Sequence, residues 1–140
     1  MDDAADPPLG YLLHRLATAL RTEVTTTALD PLGVAFPQYI CMRILSRWPG
    51  RSNAELARDV MVSPQAMNMV VRGLQDRGLV TRPESVASGR SRPAELTRAG
   101  EDLLERTMEH VRVAEDRVLG PLSERDQREL RRILAALADD

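Results

Sequence analysis

Apolar residues along this chain recur mostly at helical spacing. Leu9, Leu12, Leu13, Leu16, Leu20 and Val24 share one face of a first helix, with Pro7-Pro8 as its entry and Asp30-Pro31-Leu32-Gly33 as its break. A second helix opens with Pro37 in its first turn, carries Ile40, Cys41, Ile44, Leu45 and Trp48, and stops at Pro49-Gly50. Ser52-Asn53-Ala54-Glu55 has the form of a capping box, in which Ser52 and Glu55 each satisfy an orphan backbone N–H, and it starts a short third helix. Ser63 and Pro64 then read as cap and first residue of a fourth helix, whose stripe is Met67, Val70, Val71 and Leu74 and whose end is Gly78. Residues 79–82 and 94–97 read as short strands, joined by a Ser/Gly/Arg/Pro hairpin tip over residues 83–93. Thr97 caps a long helix bearing Leu104, Met108, Val111 and Val118, and Gly120-Pro121 breaks it. Ser123 caps the last helix, with Leu130, Ile133, Leu134 and Leu137 as its stripe. The pattern predicts a mainly α fold with a small β-wing.

Composition narrows this further. At 140 residues the chain fits one domain, and with only 3% aromatics its core must be built from aliphatic residues and Met, which suits packed helices. No apolar run approaches the ~20 residues that span a bilayer, and Asp2-Asp3-Ala4-Ala5-Asp6 lacks the positive opening of a secretory signal, so the expectation is a cytoplasmic protein without membrane contact. The single cysteine, Cys41, lies between Ile40 and Met42 and reads as a buried structural thiol. The titratable groups suited to catalysis, His14, His110 and Cys41, fall on three separate predicted helices, and no phosphate loop, HExxH or GxSxG is present. The expectation is no enzyme, no cofactor and no metal. The net charge is −2, yet residues 51–98 hold eight Arg against five acids, so a basic middle lies between acidic ends.

Two short helices joined by a tight turn and followed by a hairpin have the order of a winged helix-turn-helix. A helix fits the major groove, its first residues reach base edges, and its N-terminus attracts phosphate. On the fourth helix Gln65, Asn68, Met69 and Arg72 recur at i, i+3, i+4, i+7 opposite the apolar stripe. Gln and Asn bond adenine bidentately, and Arg bonds guanine or phosphate. That face is either a solvated surface or a groove reader. Arg90 and Arg92 on the hairpin tip suit a minor groove, or are ordinary loop residues.

Four stretches in order, Ser52-Asn53-Ala54-Glu55-Leu56-Ala57, Val62-Ser63-Pro64-Gln65-Ala66, Leu74-Gln75-Asp76-Arg77-Gly78-Leu79-Val80 and Leu96-Thr97-Arg98-Ala99-Gly100, resemble the multiple-antibiotic-resistance regulators (MarR). The resemblance extends to the long flanking helices. It implies a winged reader over residues 37–97 and dimerisation helices over residues 9–29 and 98–138. It implies a homodimer that represses by binding a palindromic operator in double-stranded DNA and is relieved by small aromatic or acidic compounds. Ser63, Gln65, Ala66, Asn68, Met69, Arg72, Arg90 and Arg92 then face DNA. The family's wing usually carries Asp-x-Arg; Arg90 matches the Arg, but Ser88 stands where the acid would brace it. Pro93 suggests a short or edge-type wing strand.

For a small aromatic carboxylate, Tyr11, His14, Arg15, Phe36 and Trp48 are the candidate lining. Arg clamps a carboxylate and the aromatic rings stack on the ligand, unless Phe36 and Trp48 are core and Tyr11 is a dimer contact. The rival function is a helix-rich protein-interaction module on the same fold, which salt-sensitive duplex binding would separate from a DNA reader.

Overall fold

The structure, a computed structural model, describes residues 6–82 and 94–138. Helix α1 (Leu9–Val24) starts at Pro8, whose carbonyl accepts from the backbone N–H groups of Tyr11 and Leu12. The chain does not break directly after it. It widens into one π-helical turn, Thr25–Leu29, then tightens into a 3₁₀ turn, Asp30–Leu32, and leaves through Gly33 at φ 66°. The sequence foresaw the stop and not the widening. Thr26 and Thr27 hydroxyls donate to the carbonyls of Thr22 (2.9 Å) and Glu23 (2.7 Å), competing with the regular ladder from the side chain.

Helix α2 (Phe36–Arg47) follows, and here one expectation is corrected. Trp48 is not on the apolar face of this helix but at its cap, at φ −129° and ψ 78°, and half exposed. Pro49 drives the residue before it out of helical geometry. Helix α3 (Asn53–Val60) and helix α4 (Pro64–Asp76) form the helix-turn-helix. Strands β1 (Val80–Thr81) and β2 (Glu95–Leu96) pair antiparallel with Val80 opposite Leu96 and Thr81 opposite Glu95. They are two residues each rather than four. Thr97 has already turned away to cap helix α5 (Arg98–Leu119): its Oγ1 accepts from Gly100 N at 3.1 Å and donates to Gly78 O at 2.6 Å. Helix α6 (Glu124–Ala138) completes the described chain, capped by Ser123, whose Oγ accepts from Asp126 N.

The core lies around α2, which packs on α3 and α4 to one side and on α5 and the π turn to the other. Leu29, Met42, Leu56, Met67, Val71 and Leu74 are its largest sealed apolar side chains, and Cys41 is sealed among them. Thr107 is buried too, its hydroxyl satisfied by the Leu103 carbonyl at 2.7 Å. α5 runs past α1, α2 and β2 and so joins the winged unit to the flanking helices. Backbones approach closely at Gly100, where a Cβ would stand 2.1 Å from the Leu79 carbonyl oxygen. α1 and α6 differ from the rest: Leu9, Leu12, Leu13, Ile133, Leu134 and Leu137 stay exposed, and α6 buries none of its residues on its own protomer.

Candidate nucleic-acid interface and ligand cavity

The reader is built from caps and a turn. Ser52 Oγ accepts from Glu55 N at 3.1 Å while Glu55 Oε1 accepts from Ser52 N at 3.1 Å, the reciprocal box that starts α3. Those bonds to Ser52, with Arg51 Nη1 on Glu55 Oε2 at 2.7 Å, hold the Glu55 carboxyl down at about 2. Met61 ends α3 in the left-handed region at φ 65° and turns the chain, after which Ser63 Oγ accepts from Ala66 N at 3.1 Å. Asn53 Nδ2 donates to Pro64 O at 3.4 Å and ties the start of α3 to the start of α4.

On α4 the apolar stripe faces inward as expected, with Met67, Val71 and Leu74 sealed. Ser63, Gln65, Asn68, Met69 and Arg72 are exposed together, and Ala66 is half-buried at the edge of that face. Ser63 satisfies one orphan N–H of the first turn, and the helix start keeps the partial positive charge that attracts phosphate. At the other end, Arg77 caps α4 and donates from Nη1 to Gly33 O at 2.7 Å, fastening the reader to the segment leaving α1. Ser88, Arg90, Arg92 and Pro93 lie outside the described residues.

The five residues nominated for a ligand are not gathered into one site within the protomer. Tyr11, His14 and Arg15 are exposed on α1, and the Arg15 guanidinium stacks 5.8 Å from the Tyr11 ring centroid. Trp48 sits between Arg47 and Arg51, at 5.3 and 5.6 Å. Only Phe36 of the five lines the cavity of about 450 Å³ between α1, α2 and α5, and the cation over its ring is Arg21 at 4.7 Å. Tyr39, Ile40, Arg43, Val111 and Glu115 complete much of the wall. Arg21, Tyr39 and Arg43 line this cavity without having been nominated from the sequence. The one usable signal was Arg21 on the α1 sequence, and its pairing with Phe36 depends on how α1 crosses α2. Burial raises the Tyr39 phenol above its ordinary value, with Arg43 opposing and Glu115 adding, so at neutral pH it is a hydroxyl donor.

A larger and more polar cleft of about 660 Å³ lies between α2, α5 and α6, with Arg112, Arg128 and Arg131 facing Glu115, Asp116 and Glu124. Arg131 reaches Glu115 across it at 3.8 Å. With Arg43 also on its wall, four guanidiniums face three carboxylates across this cleft, a small excess of positive charge. His14 and His110 are exposed, whereas Cys41 is sealed and its thiol pushed up to about 12 by burial, with Arg82 opposing. Among the described residues no group of His, Cys, Asp and Glu is placed to hold a metal, and no helix is long and apolar enough to cross a membrane.

With this geometry in place, comparison with known proteins is specific. Residues 36–91 match the model of the MarR family. The chain is 53% identical over 137 residues to the HTH-type transcriptional repressor Rv2887 of Mycobacterium tuberculosis, covering 98% of each protein. The crystal structure of Rv2887 in complex with DNA superposes with a TM-score of 0.83 at 48% identity, over 96% of this chain and all of that one. Its complex with salicylic acid gives 0.81 at 52% identity, over 96% and 99%. Wild-type MarR from E. coli, at 19% identity, shares the fold with a TM-score of 0.82 over 96% and 99%. The chain belongs to the MarR family.

Proposed function

We propose that this chain is a homodimeric transcriptional repressor that holds a palindromic operator through α4 and releases it when a small aromatic acid fills the cavity beside Phe36. The outward face of α4 carries the reading: Gln65, Asn68 and Arg72 stand exposed in register on a helix whose opposite face is wholly committed to the core. Two such helices, related by a two-fold axis, enter major grooves about 34–36 Å apart. The uncovered leucines and isoleucine of α1 and α6 supply the apolar area for that axis. One domain accounts for the chain, residues 37–97 as the winged reader and residues 9–29 and 98–138 as the dimer helices. A repressor works where its operator is, which places it in the cytoplasm, and this role includes no catalytic step.

The M. tuberculosis relative crystallised with salicylic acid supports the same ligand class here. Arg21 and Arg43 are the cations for the carboxylate, Phe36 and Tyr39 the rings that stack on it, and Glu115 disfavours a second anion. The ligand acts by preferring a spacing of the two α4 helices that misses successive grooves, because equal affinity for both spacings shifts nothing. DNA and ligand must then weaken each other by the same factor.

Fluorescence anisotropy with duplex selected from a random pool tests the first half. Gln65→Ala should cost ~1–3 kcal/mol and relax preference at one base pair, while wing Arg90→Ala weakens binding broadly. Absence of salt-sensitive duplex binding at low salt would instead favour a protein-interaction module. Calorimetry with salicylate, on free and DNA-bound protein, tests the second half. Arg43→Ala should lose the ligand and Arg15→Ala keep it. The reverse result would move the ligand to the exposed Tyr11–Arg15 face of α1.

A further inference from the structure

Met69 is the misfit on the reading face. It is 76% exposed in the middle of α4, with Gln65 one turn before it and Arg72 one turn after. The core has no need of it: Met67, Val71 and Leu74 already fill the opposite side of the helix and are sealed. It lines none of the cavities described above. A long apolar side chain kept in water between two hydrogen-bonding ones, at the height where α4 meets the groove floor, is placed for an apolar partner there. The major groove offers one such group, the C5-methyl of thymine. Methionine is suited to finding it, since its unbranched, polarizable chain adapts to the partner's position.

We propose that Met69 is a specificity-determining residue that selects thymine by packing on its C5-methyl group. This rests on α4 being the DNA reader, and adds that one position of each half-site is chosen by apolar contact and not by a hydrogen bond. Gln65 and Arg72 fix the helix on either side. The methyl then loses its water only when the base at that position is thymine. Cytosine leaves Met69 facing an exocyclic amine, and uracil leaves an empty space of methyl size.

The test replaces each thymine of a duplex selected from a random pool by deoxyuridine, which keeps every hydrogen-bonding group and deletes only the methyl. For the wild-type protein one thymine per half-site should matter, with affinity falling about fourfold for one substitution and roughly fifteenfold for both half-sites together. Met69→Ala should bind more weakly and lose that discrimination, while Met69→Leu should keep most of it. Because the side chain is exposed, both variants should fold, and circular dichroism together with unchanged affinity for random duplex at low salt verifies this. Selected half-sites with no invariant thymine, a wild type indifferent to every deoxyuridine, or a Met69→Ala that still discriminates would overturn the proposal. If Gln65→Ala and Arg72→Ala lose sequence preference at the same time, α4 remains the reader and only the role of Met69 falls. If the wild type binds no duplex, both fall.

Discussion

Gly100→Ala sets two known effects against each other, and the structure decides the sign. Gly100 lies in the first turn of α5, where alanine would ordinarily gain about 0.5–1 kcal/mol from helix propensity. Its Cβ, however, would stand 2.1 Å from the Leu79 carbonyl oxygen and 3.1 Å from Leu96 Cδ2. The leucine methyl can rotate away; the carbonyl cannot, because it is backbone and already accepts from Thr97 N at 3.0 Å. Restoring ordinary contact needs a backbone displacement of about 1 Å, in the range of overpacking costs of ~1–3 kcal/mol or more. The net expectation is a loss of about 2 kcal/mol, which for a chain of this size lowers Tm by roughly 8 °C. The displacement also shifts α5 against the strand that follows α4, so operator affinity should fall even at temperatures where the variant is folded. Calorimetry at fixed protomer concentration reads the first effect and anisotropy the second. An unchanged or raised Tm would refute the close packing of the Leu79 carbonyl on the first turn of α5.

Glu55→Gln probes the α3 box. A carboxyl held at about 2 in the folded state and near 4.5 when unfolded stabilises the fold above pH 4.5, and loses that contribution as pH falls toward 2. The melting-temperature gap between wild type and Glu55→Gln should therefore close across that window; a gap independent of pH would remove the charge from the account. Arg77→Ala should free the segment at Gly33, speeding amide exchange there about fivefold for a bond worth roughly 1 kcal/mol. Unchanged exchange would show that Arg77 does not fasten α4 to the end of α1. Cys41 should resist Ellman's reagent in the native protein and react at the rate of unfolding, since its thiol is both sealed and held at about 12. Fast native labelling would contradict the packing of α2.

Much of this architecture was legible because its signals are local. Ser52 with Glu55, Ser63 with Pro64, Thr97 and Ser123 each mark a helix start through a bond spanning three residues, and each makes that bond in the structure. The α4 face was equally readable, since one period places Gln65, Asn68, Met69 and Arg72 together. What escaped depends on contacts distant in sequence. The π turn at Thr25–Leu29 is packed against α5, β2 ends because Thr97 turns away to cap α5, and the close approach at Gly100 involves Leu79. The cavity lining was the least legible: Arg15 and Arg21 lie on the same helix, and only the crossing of α1 over α2 places one of them, Arg21, on the Phe36 ring.

The uncovered leucines of α1 and α6 make abundance itself a physical variable for this repressor. With none of the residues of its last helix fully buried on its own protomer, the fold is stabilised by pairing, so each tenfold dilution removes about 1.4 kcal/mol of stability per dimer. In a cell, chains left unpaired present loose helices to proteases and are removed faster than paired ones. Turnover then rises as the copy number drops toward the dissociation constant. Occupancy of the operator should fall off below that concentration more steeply than DNA affinity alone dictates, giving the regulated promoter a threshold set by the terminal helices.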